Sequence, residues 1–230
     1  MHMQRLDDVS PHDSSQPAVG GRAKRIMDLA IAVPALVVLS PVLVLIAILV
    51  RRDSPGPAIF KQRRAGLHGN EFDLLKFRSM VDGAESIGSG LTVQVNDDRI
   101  TKLGRLLRRT SLDELPQLIN VVRGEMSIVG PRPTIASQIS RYTDEQRRRL
   151  DARPGITGLA QVRGRASLPW STRIALDLEY INGWSLRSDL TILARTLLVV
   201  VRGSDTYRGE VAPFDLPERS PAEEQDPARH

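Results

Sequence analysis

The sequence predicts an α+β protein that is mainly helical, with one re-entrant apolar helix, amphipathic surface helices and a small β-hairpin or sheet. Three observations predict it. Leu29 to Val50 is uncharged and apolar except for Pro34, Ser40 and Pro41, and a bilayer core takes about 20 apolar residues of helix. Ala58-Ile59-Phe60 and Phe72 to Phe77 read as short strands around a turn at Gly66-Leu67-His68-Gly69-Asn70. From Thr101 onward the apolar residues recur mostly with helical spacing.

The apolar segment decides the topology. A signal peptide is a poor match, because the run starts late and Arg51-Arg52-Asp53, with no small-residue cleavage site, follows it. A buried soluble helix and a spanning helix are the other readings. Cations flank both ends: Arg22, Lys24 and Arg25 before it, Arg51, Arg52, Lys61, Arg63 and Arg64 after it. A spanning helix concentrates its positive charge on one side, so the pattern favours two ends on the same face. Pro41 cannot donate to the carbonyl of Val37, four residues back, and its ring crowds that carbonyl. A break at Ser40-Pro41 is expected, with the serine hydroxyl satisfying a freed carbonyl.

The remaining elements follow in order. Residues 1–21 read as a disordered arm, 22–52 as the re-entrant membrane helix, 53–203 as the ordered unit that follows it and 204–230 as a disordered tail. Asp53-Ser54-Pro55-Gly56-Pro57 is a turn. Thr101 to Arg109 sets Leu103, Leu106 and Leu107 on one face and Lys102, Arg105, Arg108 and Arg109 over the rest. It is either a headgroup-layer helix or a packed helix with a solvated cationic face. Leu112 to Val122 continues as helix and Gly124 ends it. Thr143 to Gln146 has the capping-box form. Leu190 to Val201 is too short to span and is either core or a second surface anchor.

Composition removes several chemistries. The 230 residues include no cysteine, which excludes disulfides, Cys-ligated metal sites and thiol nucleophiles. Of four histidines, His2, His12 and His230 lie in the expected tails, leaving His68; a Ser-His-Asp triad or a multi-His metal site is not supported. The net charge is +5 and only Lys24, Lys61, Lys76 and Lys102 among the 32 basic residues are lysine. An arginine excess suits bidentate phosphate contacts, and codon bias in a GC-rich genome gives the same composition. A basic chain seeks nucleic acid, anionic lipid or phosphorylated small molecules. Aromatics are 4% and no nucleic-acid reading motif, P-loop or Gly-x-Gly-x-x-Gly is present, which sets nucleic acid aside.

Three segments carry candidate chemistry. In Thr110-Ser111-Leu112-Asp113-Glu114-Leu115-Pro116-Gln117, Ser111 is the expected N-cap, with Asp113 and Glu114 in the first helical turn. Acids there stabilise a helix by the dipole alone; alternatively one carboxylate attacks phosphorus while the other helps hold a hard divalent cation. Arg132, between Pro131 and Pro133, is held on a restricted backbone, either preorganised for phosphate or a rigid turn with a solvent arginine. Strand alternation puts Lys76 and Arg78 on one face and Phe77 on the other. Arg153-Pro154-Gly155-Ile156-Thr157-Gly158 is a Gly-rich loop that could approach a ligand closely.

The ordered set Lys76-Phe77-Arg78-Ser79-Met80, Thr110 to Gln117, Gly130-Pro131-Arg132-Pro133, and Pro154-Gly155-Ile156-Thr157-Gly158 with Gln161 and Gly164-Arg165 resembles the bacterial sugar transferase family, the monotopic phosphoglycosyl transferases, over about Lys24 to Arg202. Ser40-Pro41 matches the family's re-entrant helix. The resemblance implies transfer of a sugar 1-phosphate from a UDP-sugar to polyprenyl (undecaprenyl) phosphate, with UMP leaving, at the cytoplasmic face of the inner membrane, as a first membrane step of exopolysaccharide or other glycoconjugate synthesis. It implies a ping-pong route in which Asp113 becomes the phosphosugar carrier. Glu114, with Asp113, would bind Mg²⁺, and Lys76, Arg78, Arg108 and Arg132 would bind phosphate oxygens. The short region before the apolar segment is expected to mark the minimal catalytic form, and Ala166 stands where the family often has Asn. The alternative is a non-enzymatic membrane scaffold whose acids only cap a helix. The sugar and the oligomeric state, homo-oligomer included, stay open.

Overall fold

The computed structural model describes residues 18–86, 97–164, 167–201 and 215–216. Helix α1, Gly21–Asp53, is followed by an antiparallel hairpin of β1, Ile59–Ala65, and β2, Glu71–Phe77. Helices α2, Lys102–Arg109, and α3, Gln117–Arg123, precede the short strand β3, Ser127–Val129. Two short helices, α4, Ala136–Ile139, and α5, Asp144–Arg147, lead to β4, Gly155–Thr157, which pairs parallel with β3. Helices α6, Leu159–Arg163, α7, Trp170–Asn182, and α8, Leu186–Val201, complete the described fold.

Helix α1 is apolar enough and long enough, by length and composition, to cross a membrane. The helix runs unbroken through Pro34 and Pro41, so the break expected at Ser40-Pro41 is a missing hydrogen bond rather than a loop. The reason is local: the Ser40 hydroxyl donates to the Val37 carbonyl at 2.8 Å, replacing the N–H that Pro41 lacks. One stripe of the helix faces the body. Lys24, Asp28 and Ala32 are buried, Leu36 and Leu39 pack beside them, and Leu43, Ile46 and Val50 continue the stripe. This 3–4-residue spacing is the period of one helical face. The opposite face exposes Val33, Val37, Val38, Val42, Val44, Leu45, Ile48 and Leu49, together with Ser40 and both prolines.

Both ends of α1 dock on the same body. At the N-terminal end Arg25 donates to the carbonyls of Val121 and Val122, the last turn of α3. Lys24 pairs with Asp189 of α8 at 2.7 Å, and Asp28 accepts from the Ser127 hydroxyl and the Ile128 N–H. At the C-terminal end Ile46 and Val50 pack with Phe77 and Leu107. The main core joins Ala32, Phe72, Leu74, Leu118, Val121, Met126, Ile128, Val129, Tyr180 and Ile192.

Several expected elements are present. The hairpin turns at Gly66 to Asn70, with His68 and Gly69 at positive φ. Thr101 caps α2 by accepting from the Gly104 N–H, and Leu107 and Leu103 face the α1 end while Leu106 is exposed. Thr143 and Gln146 form the full capping box. Gly124 ends α3 in the left-handed region.

Others differ. The single helix expected over Leu112 to Val122 is a 3₁₀ turn, Leu112–Glu114, and then α3. Ser111 is left-handed (φ 57°) and makes no side-chain cap. Pro116, with no N–H, sits at the junction, so an i to i−4 ladder cannot run through it. Residues 18–21 were expected in the arm, but Val19 donates to the Asp151 carbonyl and Gly21 already belongs to α1. In the expected tail, Asp215 accepts from Ser171 in the first turn of α7 and Leu216 is buried. The rest of both expected tails, and Arg165 and Ala166, lie outside the described residues.

Candidate active site

The turn Leu112–Glu114 packs against α2 and β2 and leads into α3. Asp113 is 7% exposed, and its carboxylate has no hydrogen-bond or ion-pair partner among the described residues. Glu114 beside it takes the Arg132 guanidinium at 3.0 Å and stands 3.8 Å from the Lys76 ammonium. Arg108, at the end of α2, donates through Nε to the Ser79 hydroxyl and acts on Asp113 through its charge.

Burial raises the Asp113 carboxyl, with the Glu114 charge adding to it, to a pKa of about 6; Lys76, Arg108 and Arg132 pull the other way. Burial also brings the Lys76 ammonium down to about 8, opposed chiefly by Glu114. Desolvation dominates both shifts. At neutral pH the outcome is an ionised, unpartnered carboxylate among three cations, which is how a nucleophile meets an anionic phosphate.

The Arg132 loop is fixed from three directions. Gly155 donates to the Pro131 carbonyl at 2.8 Å, Ala65 to the Thr134 carbonyl at 2.9 Å, and Arg149 to the Arg132 carbonyl at 3.1 Å. Arg149 is itself buried between Asp177, at 2.6 Å, and the Tyr142 hydroxyl. The restricted backbone expected at Arg132 is therefore present. Close backbone approach is what the glycines here permit: a Cβ on Gly130, Gly155 or Gly158 would fall inside backbone atoms of the opposing strand or loop.

Of the residues expected at the site, Asp113, Glu114, Lys76, Arg108 and Arg132 come together. Arg78 does not. Its guanidinium turns to the end of α1, donating to the Ser54 carbonyl at 2.6 Å and the Ser54 hydroxyl at 3.0 Å. Strand alternation fails as a guide because β2 ends at Phe77. Ser40 and Pro41 lie on the exposed face of α1.

Residues that sequence reasoning missed support the site from behind. Asn120, fully buried, accepts from the Leu75 N–H and donates to the Asp73 carbonyl and to Glu125, joining α3 to the strand that carries Lys76. Arg149 sits in the run Arg147-Arg148-Arg149, and nothing in that run distinguishes the buried member.

No cluster of three or more His, Cys, Asp or Glu able to hold a metal exists among the described residues. Asp113 and Glu114 are nonetheless hard oxygen donors of the kind Mg²⁺ takes when substrate phosphates and water complete its shell, so the pair fits such an ion in the presence of a diphosphate.

Comparison with known proteins places the chain among sugar transferases. A protein 44% identical over 178 residues, 77% of this chain and 87% of its own length, is the uncharacterized sugar transferase EpsL of Bacillus subtilis. The UDP-glucose:undecaprenyl-phosphate glucose-1-phosphate transferase of Caulobacter vibrioides is 43% identical over 195 residues, 80% of this chain and 72% of its own length. The undecaprenyl-phosphate galactose phosphotransferase of Salmonella typhimurium is 40% identical over 198 residues, 80% of this chain and 41% of that larger protein. The sequence model of the bacterial sugar transferases matches residues 19–203, a span that contains α1, the dyad and every cation around it, and the chain belongs to that family.

Proposed function

We propose that the protein transfers a sugar 1-phosphate from a UDP-sugar to undecaprenyl phosphate, releasing UMP, by way of a phospho-aspartate on Asp113. The observation that carries this reading is the buried, unpartnered Asp113 carboxylate facing Lys76, Arg108 and Arg132. One Asp113 oxygen attacks the sugar-proximal phosphorus, and the bond from that phosphorus to the bridging oxygen breaks. UMP leaves with the electron pair. A phosphate oxygen of the lipid acceptor then attacks the same phosphorus, and Asp113 is released as carboxylate.

Arg132 and Lys76, both held toward Glu114, stabilise charge on the transferring group, as phosphoryl transfer requires. Glu114, with Asp113, would hold Mg²⁺, which would supply neutralisation of diphosphate charge. The names of the relatives support the donor and the acceptor as classes. A scaffold whose acids merely cap a helix is not favoured, since Ser111 makes no side-chain cap and the acids open a 3₁₀ turn.

The same reading places the protein on the cytoplasmic face of the inner membrane, with α1 entering and leaving by one face. The two ends of the 33-residue α1 grip one body through Arg25 and Val50. Cations at both ends and aliphatic side chains on the outer face agree with that entry.

The test is UMP release from a panel of UDP-sugars with undecaprenyl phosphate and Mg²⁺, wild type beside Asp113→Asn. Release by wild type alone is the expected result. Equal release by both proteins would remove Asp113 from the chemistry. Topology is tested by cysteines introduced singly at positions 22 and 53 in a chain that has none. Both sites should behave alike toward an impermeant reagent, and labelling of only one would exclude the single-face arrangement.

A further inference from the structure

We propose that Arg78 is a positioning residue that fixes the depth of the dyad relative to the membrane helix, acting through the end of α1 rather than as a ligand of the transferred phosphate. The inference rests on the transferase reading for what the dyad does, and on geometry for the rest.

Arg78 is 6% exposed. Its Nη2 donates to the Ser54 carbonyl at 2.6 Å, lies 3.0 Å from the Ser54 hydroxyl and 3.5 Å from the Val50 carbonyl. Those carbonyls belong to the last turn of α1 and its cap, where the final carbonyls of a helix lack partners and its dipole is negative. Nε and Nη1 of Arg78 are buried with no hydrogen-bond partner, and Gly56 lies against Nη1, where a Cβ would overlap it. A phosphate therefore has no open approach to the unused donors. The negative end of α1 is what this guanidinium answers.

The neighbours of Arg78 show what the grip transmits. Two residues earlier, Lys76 reaches Glu114. Phe77 packs with Ile46 and Val50 of α1 and with Leu107 of α2. One residue later, the Ser79 hydroxyl accepts from Arg108 and the Ser79 carbonyl accepts from the Thr101 N–H that opens α2. Four consecutive residues, Lys76 to Ser79, thus join the dyad, the cationic helix and the exit of the membrane helix. A strand end cannot lengthen, so a shift of α1 at Ser54 is carried to Lys76. Since the acceptor phosphate of a lipid sits at a set depth, an error of about 1 Å there costs up to about a hundredfold in rate.

The experiment compares wild type, Arg78→Gln, Arg78→Lys and Gly56→Ala in lipid nanodiscs, with two readouts. Steady-state kinetics give KM for the UDP-sugar and kcat with undecaprenyl phosphate. A fluorophore on a single cysteine at exposed position 109, quenched by lipids carrying nitroxides at different depths, locates α2 without turnover. Arg78→Gln and Gly56→Ala should each move the quenching profile and lower kcat about tenfold while KM for the donor changes less than twofold. Arg78→Lys, which keeps a donor for the Ser54 carbonyl, should fall between them and wild type. A tenfold rise in donor KM with an unchanged quenching profile would make Arg78 a phosphate ligand and overturn the proposal, as would no change in either readout. Absence of UMP release by wild type would overturn the transferase reading alone, and the quenching profiles would still decide the role of Arg78.

Discussion

Replacing Asp113 by Asn separates what the residue does for chemistry from what it does for the fold. The carboxyl is 7% exposed and its pKa is raised from 3.8 to about 6, first by burial and then by Glu114. A raised carboxyl pKa means that the folded state holds the proton more tightly than the unfolded chain does. The stability tied to that proton is fully present below pH 3.8 and is lost as pH climbs through about 6. At pH 8 the ionised group therefore costs about 3 kcal/mol, from 1.36 kcal/mol per tenfold in proton affinity. Asparagine has nearly the same shape and no charge to desolvate. Asp113→Asn should abolish UMP release and at the same time raise the thermal midpoint at pH 8. At about 2–4 °C per kcal/mol for a chain of this size, the gain is roughly 6–12 °C as an upper bound. The gain should shrink toward zero as the buffer approaches pH 4. Unfolding followed by intrinsic tryptophan fluorescence in the same detergent at both pH values measures it. A variant no more stable than wild type at pH 8 would refute the reasoning, because the carboxylate would then be making stabilising contacts and could not be a strained, poised nucleophile.

Three other outcomes follow. The pH profile of kcat/KM should rise through about 6 as Asp113 ionises and fall above about 8 as Lys76 loses its charge; a profile flat across pH 5–7 would exclude Asp113 as the titrating nucleophile. Asn120→Ala should destabilise by about 3 kcal/mol, since the buried Leu75 N–H and Asp73 carbonyl lose their partners, and a thermal midpoint within 2 °C of wild type would contradict that accounting. Ser40→Ala should cost about 1–2 kcal/mol in lipid, where the Val37 carbonyl has no other donor, but nearly nothing in a Pro41→Ala background that restores the N–H; additivity within about 0.5 kcal/mol in that double-mutant cycle would show that the two residues act independently.

The parts of the fold that the sequence reveals are those governed by local chemistry. Thr143 and Gln146 cap a helix because both partners lie within one turn, and the Gly66 to Asn70 turn is set by residues that tolerate positive φ. Asp113, Glu114, Lys76 and Arg132 are legible in an ordered set of motifs, with Arg108 just upstream of the acids; Lys76 and Arg132 pair with Glu114, and all three cations act on Asp113. The errors sit where distant partners decide. Ser111 looks like an N-cap, but Pro116 stops the helix it would have capped. Arg78 looks like a neighbour of Lys76, but the strand ends between them and α1, more than twenty residues back, claims the guanidinium. Asn120 and Arg149 carry no local signal, because what they bind, a strand edge and a loop carbonyl, is placed by the fold.

The arginine excess has a physical account that neither phosphate recognition nor codon usage supplies. Many helices here are short: α3 has 7 residues, α4 and α5 have 4 each and α6 has 5. Every helix leaves its last carbonyls without intrahelical partners, so a fold made of short pieces has many of them per residue. Arginine, with five donors on a long stem, reaches such groups. Arg25 takes two carbonyls at the end of α3, Arg153 takes that of Gly124 just beyond it, Arg78 takes that of Ser54 after α1, and Arg149 takes that of Arg132 in the site loop. Arginines committed to carbonyls in this way are not available to an anion. That division explains how so basic a chain presents a small, defined set of cations to the dyad. It also explains why charge counting alone points to polyanions in general, whereas the structure gathers Lys76, Arg108 and Arg132 around one carboxylate pair.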